Sequence, residues 1–294
     1  MNNVNDVNIK LNSLTNNIDP VDQLLISKLD KLYMKLNLAI SEGLIVAFSG
    51  GVDSAFLLWA AKKVYDKNSG KLLAITTDSP SLARTELKEA ITFAKNLDVP
   101  HKIEESKEFD NPEYIKNDLN RCYFCKNELF RITSEALNSG EYKWVAYGYN
   151  DSDRSDFRPG HKAALENEIL APLADVGLTK DEIRKMLSIN GIDISDKPSS
   201  PCLSSRIMTG ISISEKRIND IEEIELLIEQ AGIKIKRVRI CKDENQDFLR
   251  IEIGKDEMKQ FLEIGEKISR EGIARGYKWV TLDLSGYKMG GGVN

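Results

Sequence analysis

The chain has 294 residues, of which 30% are charged and 41% apolar, with a formal net charge of −5. That length supports one large domain or two medium ones with an ample core, in the composition range of ordinary globular proteins. The acidic balance argues against a broad nucleic-acid-binding face, which is usually basic, so an anionic substrate has to be met by local arginines.

The first twenty residues hold seven asparagines and no apolar run. They read as a frayed tail (residues 1–20), neither signal peptide nor membrane anchor. No later stretch approaches the roughly 18 apolar residues of a membrane span. Two of the four cysteines form a C-x-x-C, which suggests a reduced compartment and a cytoplasmic protein. Leu25, Leu29, Leu32 and Leu36 recur at helical spacing, predicting a helix over 21–42. Strands are expected at 44–48, 72–77, 100–104 and 144–148, separated by helical patterns at 54–66 and 82–97. Strands alternating with helices specify an α/β fold with a parallel sheet, whose ligands sit beyond the carboxyl ends of the strands.

The first strand ends at Ala47-Phe48 and runs into Ser49-Gly50-Gly51-Val52-Asp53-Ser54. Paired glycines allow a tight turn, and Asp53-Ser54 opens the next helix. Backbone N–H groups and the positive helix end then face one small volume, a site for phosphate or pyrophosphate. No lysine follows the second glycine, so this is not the kinase-type P-loop. SGGVDS resembles the PP-loop of the ATP pyrophosphatases, which cleave ATP between its α and β phosphates and activate a carbonyl or carboxylate as an adenylate. The alternative is an ordinary strand–turn–helix corner.

After Pro198-Ser199-Ser200-Pro201 the pattern changes. A helix over 214–231, strands at 234–241 and 248–253, a helix near 256–271 and a strand near 278–284 describe a small α+β domain. The expected division is 21–203 and 204–294, with a glycine tail at Gly290-Gly291-Gly292.

Cys122 and Cys125 lie just before a helix expected to reach about residue 137, between Arg121 and Lys126. Cys202 lies in Pro201-Cys202-Leu203-Ser204-Ser205-Arg206, and Cys241 closes a strand. Cationic neighbours and a helix start favour thiolates at the C-x-x-C. Four readings stay open: a zinc site, short of ligands with only His101 and His161 in the chain; a redox or persulfide pair; three thiolates on a [4Fe–4S] cluster with one open iron; and buried thiols acting as small hydrophobes. The last suits Cys241.

Taken together, SGGVDS, Thr77-Asp78-Ser79-Pro80-Ser81-Leu82, the GYNDSD run from Gly148 to Asp153, and PCLSSRI resemble the LarE family, ATP-dependent sulfur insertases of nickel-pincer nucleotide biosynthesis. The similarity covers about residues 22–285. It implies adenylation of a carboxylate of pyridinium-3,5-biscarboxylic acid mononucleotide, release of pyrophosphate, and delivery of sulfur to leave a thiocarboxylate, with the second carboxylate treated likewise. Part of the family sacrifices one cysteine, matching Cys202. The added Cys122 and Cys125 resemble the branch in which three cysteines hold a [4Fe–4S] cluster. The resemblance further implies ATP and Mg²⁺ as cofactors, with Asp53 near the metal, and a homo-oligomer such as a hexamer. It also implies a sulfide donor, either a cysteine desulfurase or free sulfide, and a product used in maturing a lactate racemase or another nickel enzyme.

On the same pattern Arg206, Arg237 and Arg239 bind the substrate's phosphate and carboxylates, and Glu225 and Asp256 lie near it. Guanidinium forks suit such anions, although single arginines also fit a solvated strand face and the two acids a solvated helix surface. Ala47, Ser49, Gly50, Gly51, Asp53, Ser54, Thr76, Ser81 and Gly148 line the expected nucleotide site. Thr76, Asp78 and Ser81 suit adenine or ribose contacts, or plain turn and cap chemistry. Asn150 ends another strand, and Asp151, Asp153, Arg154, Asp156 and Arg158 form a charged loop that either meets pyrophosphate or is only solvated. Rivals are a cluster-dependent tRNA thiouridine synthetase, disfavoured by the acidic chain and a first strand that starts at Leu44, and an amidating synthetase, which leaves three cysteines unexplained. A nucleotide-sensing iron–sulfur module is the non-enzyme alternative.

Overall fold

Leu44, Ile45, Val46 and Ala47 are all buried. A strand covered on both faces needs helices above and below, the arrangement of a parallel sheet. The computed structural model describes residues 20–155, 159–198 and 200–288. The asparagine-rich start, Asp156, Arg158, Ser199 and the glycine tail lie outside the described residues. In chain order the longer elements are α1 (Pro20–Glu42), β1 (Leu44–Ala47), α2 (Val52–Tyr65), β2 (Leu72–Asp78), α3 (Arg84–Asn96), β3 (His101–Glu105) and α4 (Arg121–Leu137). Then come β4 (Trp144–Tyr147), α5 (Pro159–Glu166), α6 (Lys180–Ile189), α7 (Glu215–Gln230), β5 (Lys236–Asp243), β6 (Gln246–Ile253), α8 (Met258–Ala274) and β7 (Val280–Leu282). None of these helices is long and apolar enough to cross a membrane.

The chain forms two compact units. The first comprises residues up to Asp78, Arg84–Ser106 and Cys125–Ser200. Its sheet has the order β3-β2-β1-β4 and is parallel throughout, with Leu44 opposite Leu72 on one side and Trp144 on the other. This is the mixed α/β architecture that the alternating pattern requires. Leu25, Leu29, Leu32 and Leu36 form one buried stripe of α1 and join β1 and α2 in a single apolar core. α2 is buried almost all round from Ser54 to Ala61, as a central helix must be. α6 opens with a capping box in which the Thr179 side chain and Glu182 cap each other's backbone, and it packs Ile183, Met186 and Leu187 into the same core.

Inside this unit Thr76 is buried at the carboxyl end of the sheet. Its hydroxyl donates to the Phe48 carbonyl at 2.6 Å and lies 2.8 Å from His101 Nε2. A hydroxyl has one proton to give, so the imidazole is the donor to Thr76.

The second unit comprises Ser79–Ala83, Lys107–Phe124 and the residues from Pro201 onward. β5 and β6 pair antiparallel and β7 joins β6 in parallel. Val238, Ile240, Leu249 and Ile251 are fully buried, and α7 and α8 pack against the sheet. Strand alternation puts Arg237, Arg239 and Cys241 on the other face, opposite Glu252, Arg250 and Phe248. On α7 the buried stripe runs Ile218, Ile221, Glu225 and Ile228, so an acid occupies an apolar row. Glu225 accepts from Arg206 through both oxygens, at 2.6 and 3.0 Å, and its Oε1 also takes the Val238 N–H at 3.0 Å.

Two outcomes are expected. Removing one partner of a buried pair leaves a charge without compensation, so Glu225→Ala should cost about 3–5 kcal/mol. The readout is the urea midpoint by circular dichroism, and a loss within about 0.5 kcal/mol contradicts the brace. Burial lowers the pKa of His101 below its ordinary 6.5, and burial first and then Arg154 lower that of His161. The folded chain thus binds these protons more weakly than the unfolded chain. Their contribution is present above the unfolded value near 6.5 and is lost as pH falls from there through the lowered folded values. Thermal unfolding between about pH 7.5 and 5.5 should decline less steeply in His101→Gln than in the unaltered chain; equal slopes contradict the assignment.

Candidate active site

The first unit builds an anion cradle at the β1–α2 turn. Gly50 has a φ of +72°, and a Cβ there would lie 2.9 Å from the Ala90 Cβ. Only glycine takes this conformation without strain. Gly51 is the N-cap of α2, in extended backbone, and brings no side-chain acceptor to the first amides of the helix. These amides and the helix dipole favour an anion. Ser54 Oγ donates to the Gly51 carbonyl at 3.0 Å, accepts from the Ser49 amide at 3.3 Å and stands 3.1 Å from Ser49 Oγ. Ala47 ends β1 between Ile75 and Tyr147. A Cβ on Gly148 would sit 2.6 Å from the Ser54 nitrogen, so the end of β4 lies directly against the first turn of α2.

Charged groups border this turn. Asp53 pairs with Lys180, the first residue of α6, and its Oδ1 is buried without a hydrogen-bond partner. Asn150 Oδ1, just past β4, is likewise buried and unsatisfied. Orphaned oxygens beside a phosphate cradle suit Mg²⁺, which takes one or two carboxylates and draws its other ligands from phosphates and water. Lys197 donates to the Gly50 carbonyl at 3.1 Å and pairs with Glu86 and Glu89. Burial lowers its pKa, but these acids outweigh burial and raise it. Neither lysine was singled out from the sequence. The Thr179-Lys180-Asp181-Glu182 capping signature is the signal that could have placed Lys180 at a helix start.

Of the other predicted nucleotide contacts, Thr76 is in this unit with its hydroxyl engaged as described. Asp78 pairs with Arg84 at 2.6 Å. Asp151 pairs with Arg154 at 3.0 Å in the turn Asp151–Ser155. Ser81 belongs to the second unit, where its Oγ lies 2.6 Å from the Tyr114 hydroxyl and 2.5 Å from Ser204 Oγ.

The predicted substrate residues of the second unit are internally braced. Besides Glu225, Arg206 reaches the Pro201 and Cys202 carbonyls at 2.6 and 3.0 Å. Glu225 therefore lies in the interior, not on a solvated helix surface. Arg239 donates to Glu252 at 2.6 Å, and Arg250 donates to the same oxygen at 3.0 Å. Arg237 lies over the Tyr287 ring at 5.0 Å, and its pKa is lowered by burial first and then by Arg206. Asp256 is exposed in the turn Lys255–Glu257. Arg250 and Glu252 are additions to the sequence reading, visible only once the strand register is known.

None of the four cysteines is in a disulfide. Cys122 and Cys202 are exposed and Cys125 half-buried. Cys122 and Cys125 are three apart on α4, hence on one helix face. Cys241 is buried, and burial pushes its thiol pKa up. Among the described residues no three His, Cys, Asp or Glu side chains converge on one ion.

A PP-loop domain model matches residues 21–122. The uncharacterized protein slr1717 of Synechocystis sp. is 36% identical over 249 residues, covering 84% of this chain and 90% of that protein. The pyridinium-3,5-bisthiocarboxylic acid mononucleotide synthase of Lactiplantibacillus plantarum is 27% identical over 83% of this chain and 87% of the synthase. The uncharacterized protein MJ0830 of Methanocaldococcus jannaschii is 29% identical over 83% of this chain and 90% of its own length. The cradle lies within the matched PP-loop domain of an ATP-dependent enzyme. The chain belongs to the same family as slr1717, and its PP-loop domain together with its likeness to the synthase supports the LarE family.

Proposed function

We propose that this protein is a sulfur transferase that adenylates the carboxylates of a pyridinium-3,5-biscarboxylic acid mononucleotide and converts them to thiocarboxylates. The observation that carries the reading is a pyrophosphate cradle in a chain that matches a pyridinium-bisthiocarboxylate synthase over 83% of its length. A carboxylate is a poor electrophile because its charge is delocalised and oxide is a bad leaving group. A carboxylate oxygen attacks the α-phosphorus of ATP, and pyrophosphate leaves with the electrons of the broken P–O bond. A hydrosulfide then attacks the acyl carbon, and AMP leaves carrying the former carboxylate oxygen. One hard step becomes two easier ones.

The α2 amides hold the departing pyrophosphate, Asp53 would hold Mg²⁺ against the phosphates, and Lys180 adds a second cation beside them. Arg237 and Arg239 offer forks for the substrate's phosphate and carboxylates, with Arg206 and Glu225 fixing the loop that carries Cys202. Asp256 and Ser81 complete the proposed surroundings. The donor set of Cys122, Cys125 and Cys202 is accessible and rich in thiols. A cluster takes one thiolate per iron, so it needs thiols spaced about a common centre instead of meeting at one ion. A [4Fe–4S] cluster so held would supply an open iron for an exchangeable sulfide.

The test incubates the full chain, purified without oxygen, with ATP, Mg²⁺, sulfide and the biscarboxylated nucleotide, and follows AMP and product mass. AMP release with an oxygen-to-sulfur mass gain is expected. Asp53→Asn should lower AMP formation by about 10²-fold or more, whereas Cys202→Ala should abolish thiolated product and leave AMP formation. About four irons per chain support the cluster; a colourless zinc-loaded protein removes it. AMP release driven only by tRNA overturns the substrate assignment.

A further inference from the structure

Within the first unit, the chain after α6 turns tightly. The Ser195 amide donates to the Ile192 carbonyl at 3.2 Å and the Lys197 amide to the Ile194 carbonyl at 3.1 Å. Arg184 of α6 holds this turn, donating to the Ser195 carbonyl and, at 2.7 Å, to the Lys197 carbonyl. From that fixed backbone the Lys197 side chain, only 13% exposed, reaches the β1–α2 turn and donates to the Gly50 carbonyl at 3.1 Å. Its charge is already matched, because the ammonium pairs with Glu86 and, at 2.9 Å, with Glu89, both on α3. One cation between two carboxylates leaves no positive charge over for a phosphate.

The bond to Gly50 has a consequence one atom further along the chain. A peptide unit is planar, and in the trans form its C=O and N–H point in opposite directions. Among the described residues no peptide bond is cis. A donor fixed on the Gly50 carbonyl therefore aims the Gly51 N–H away from Lys197. The peptide between two glycines is the one that resists turning over least, since neither neighbour has a Cβ. Turned over, it would present a carbonyl where an anion needs an N–H. Among the described residues no acceptor meets the Gly51 N–H. Gly51 is also the N-cap of α2, so this amide immediately precedes the unpaired first amides of the helix.

We propose that Lys197 is a positioning residue for the nucleotide, holding the Gly50–Gly51 peptide so that the Gly51 N–H joins the α2 amides around the pyrophosphate. It acts on the anion through a dipole that it aims, not through its own charge. The proposal rests on the reading of the cradle as a pyrophosphate site and is independent of the sulfur chemistry.

The test uses the full chain grown with glycine that carries carbon-13 at the carbonyl and nitrogen-15 at the amide. A spectrum that selects directly bonded pairs of these labels across a peptide shows only glycines that follow a glycine: Gly51, Gly291 and Gly292. Gly291→Ala removes the last two signals and so assigns Gly51. The probe is inorganic pyrophosphate with Mg²⁺. In the unaltered chain the Gly51 amide proton should move downfield at saturation, as an N–H donating to an anion does. Lys197→Met should lose that displacement at saturation and bind pyrophosphate about tenfold more weakly.

Pyrophosphate binding to the unaltered chain without movement of the Gly51 proton overturns the proposal. This arm needs no variant and stands if Lys197→Met fails to fold. A displacement kept at saturation in Lys197→Met overturns it too, because weaker binding alone marks a direct phosphate contact or a merely structural support. Loss of the displacement with unchanged affinity also overturns it. Absence of any binding to the unaltered chain is a different result, which removes the pyrophosphate reading of the cradle and the proposal with it. Neither the pyridinium nucleotide nor sulfide is present, so no outcome bears on sulfur transfer.

Discussion

Backbone lying against backbone is the constraint on which the nucleotide site depends. At Gly148 a single added carbon would collide with the Ser54 nitrogen and with Asp53 and Ser54 backbone carbons. The end of β4 is thereby pressed onto the first turn of α2, and the β1–α2 turn has little space in which to pass. Gly50 solves that crossing with a left-handed backbone, close under Ala90 of α3. Once the crossing is made, the first amides of α2 have one direction in which to point. The fully buried β1 and the nearly all-round burial of α2 hold this geometry from behind. The anion site is therefore a property of core packing before any charged side chain is considered.

Charged residues then enter in pairs. Lys180 meets Asp53 and Lys197 meets Glu86 and Glu89 in the first unit; Arg206 meets Glu225 and Arg239 meets Glu252 in the second. A cation can be held this deep only if an acid shares its burial. Such pairs gain little net stability, and their value lies in fixing where a charge stands. Arg206 shows this directly, since one face of its fork is fixed by Glu225 and the other holds the two carbonyls at Pro201 and Cys202. The Cys202 loop is set by an ion pair whose charges are already balanced.

The order of elements was legible because strands and helices here follow hydrophobic period closely. The four-leucine stripe of α1 and the apolar run of β1 each correspond to one element in the structure. The SGGVDS turn was legible for the same reason, since local chemistry fixes local backbone. What escaped was long-range. α6 was not anticipated, although a threonine followed by a glutamate three residues on marks its start. Glu225, read as lying near the substrate or on a solvated helix surface, stands with Ile218, Ile221 and Ile228 on the buried stripe of α7. Thr76, read as a nucleotide contact or as plain turn chemistry, has its hydroxyl engaged between Phe48 and His101. Arg121 was visible only as a neighbour of Cys122, because its partner at Ser204 lies far along the chain.

These misses share one physical origin. A side chain's period reports which face it occupies, but its function depends on which groups from other segments come to that face. For apolar residues the distinction matters little, because any apolar neighbour serves. For a buried charge it decides everything, because one specific partner must be present at hydrogen-bond distance. The residues of this chain hardest to assign from sequence are thus its buried ions, and these are also the ones that place the cysteine loop. An acidic protein that handles anions relies on local positive charge held at fixed positions. Arg206 and Arg239 achieve this with carboxylate partners.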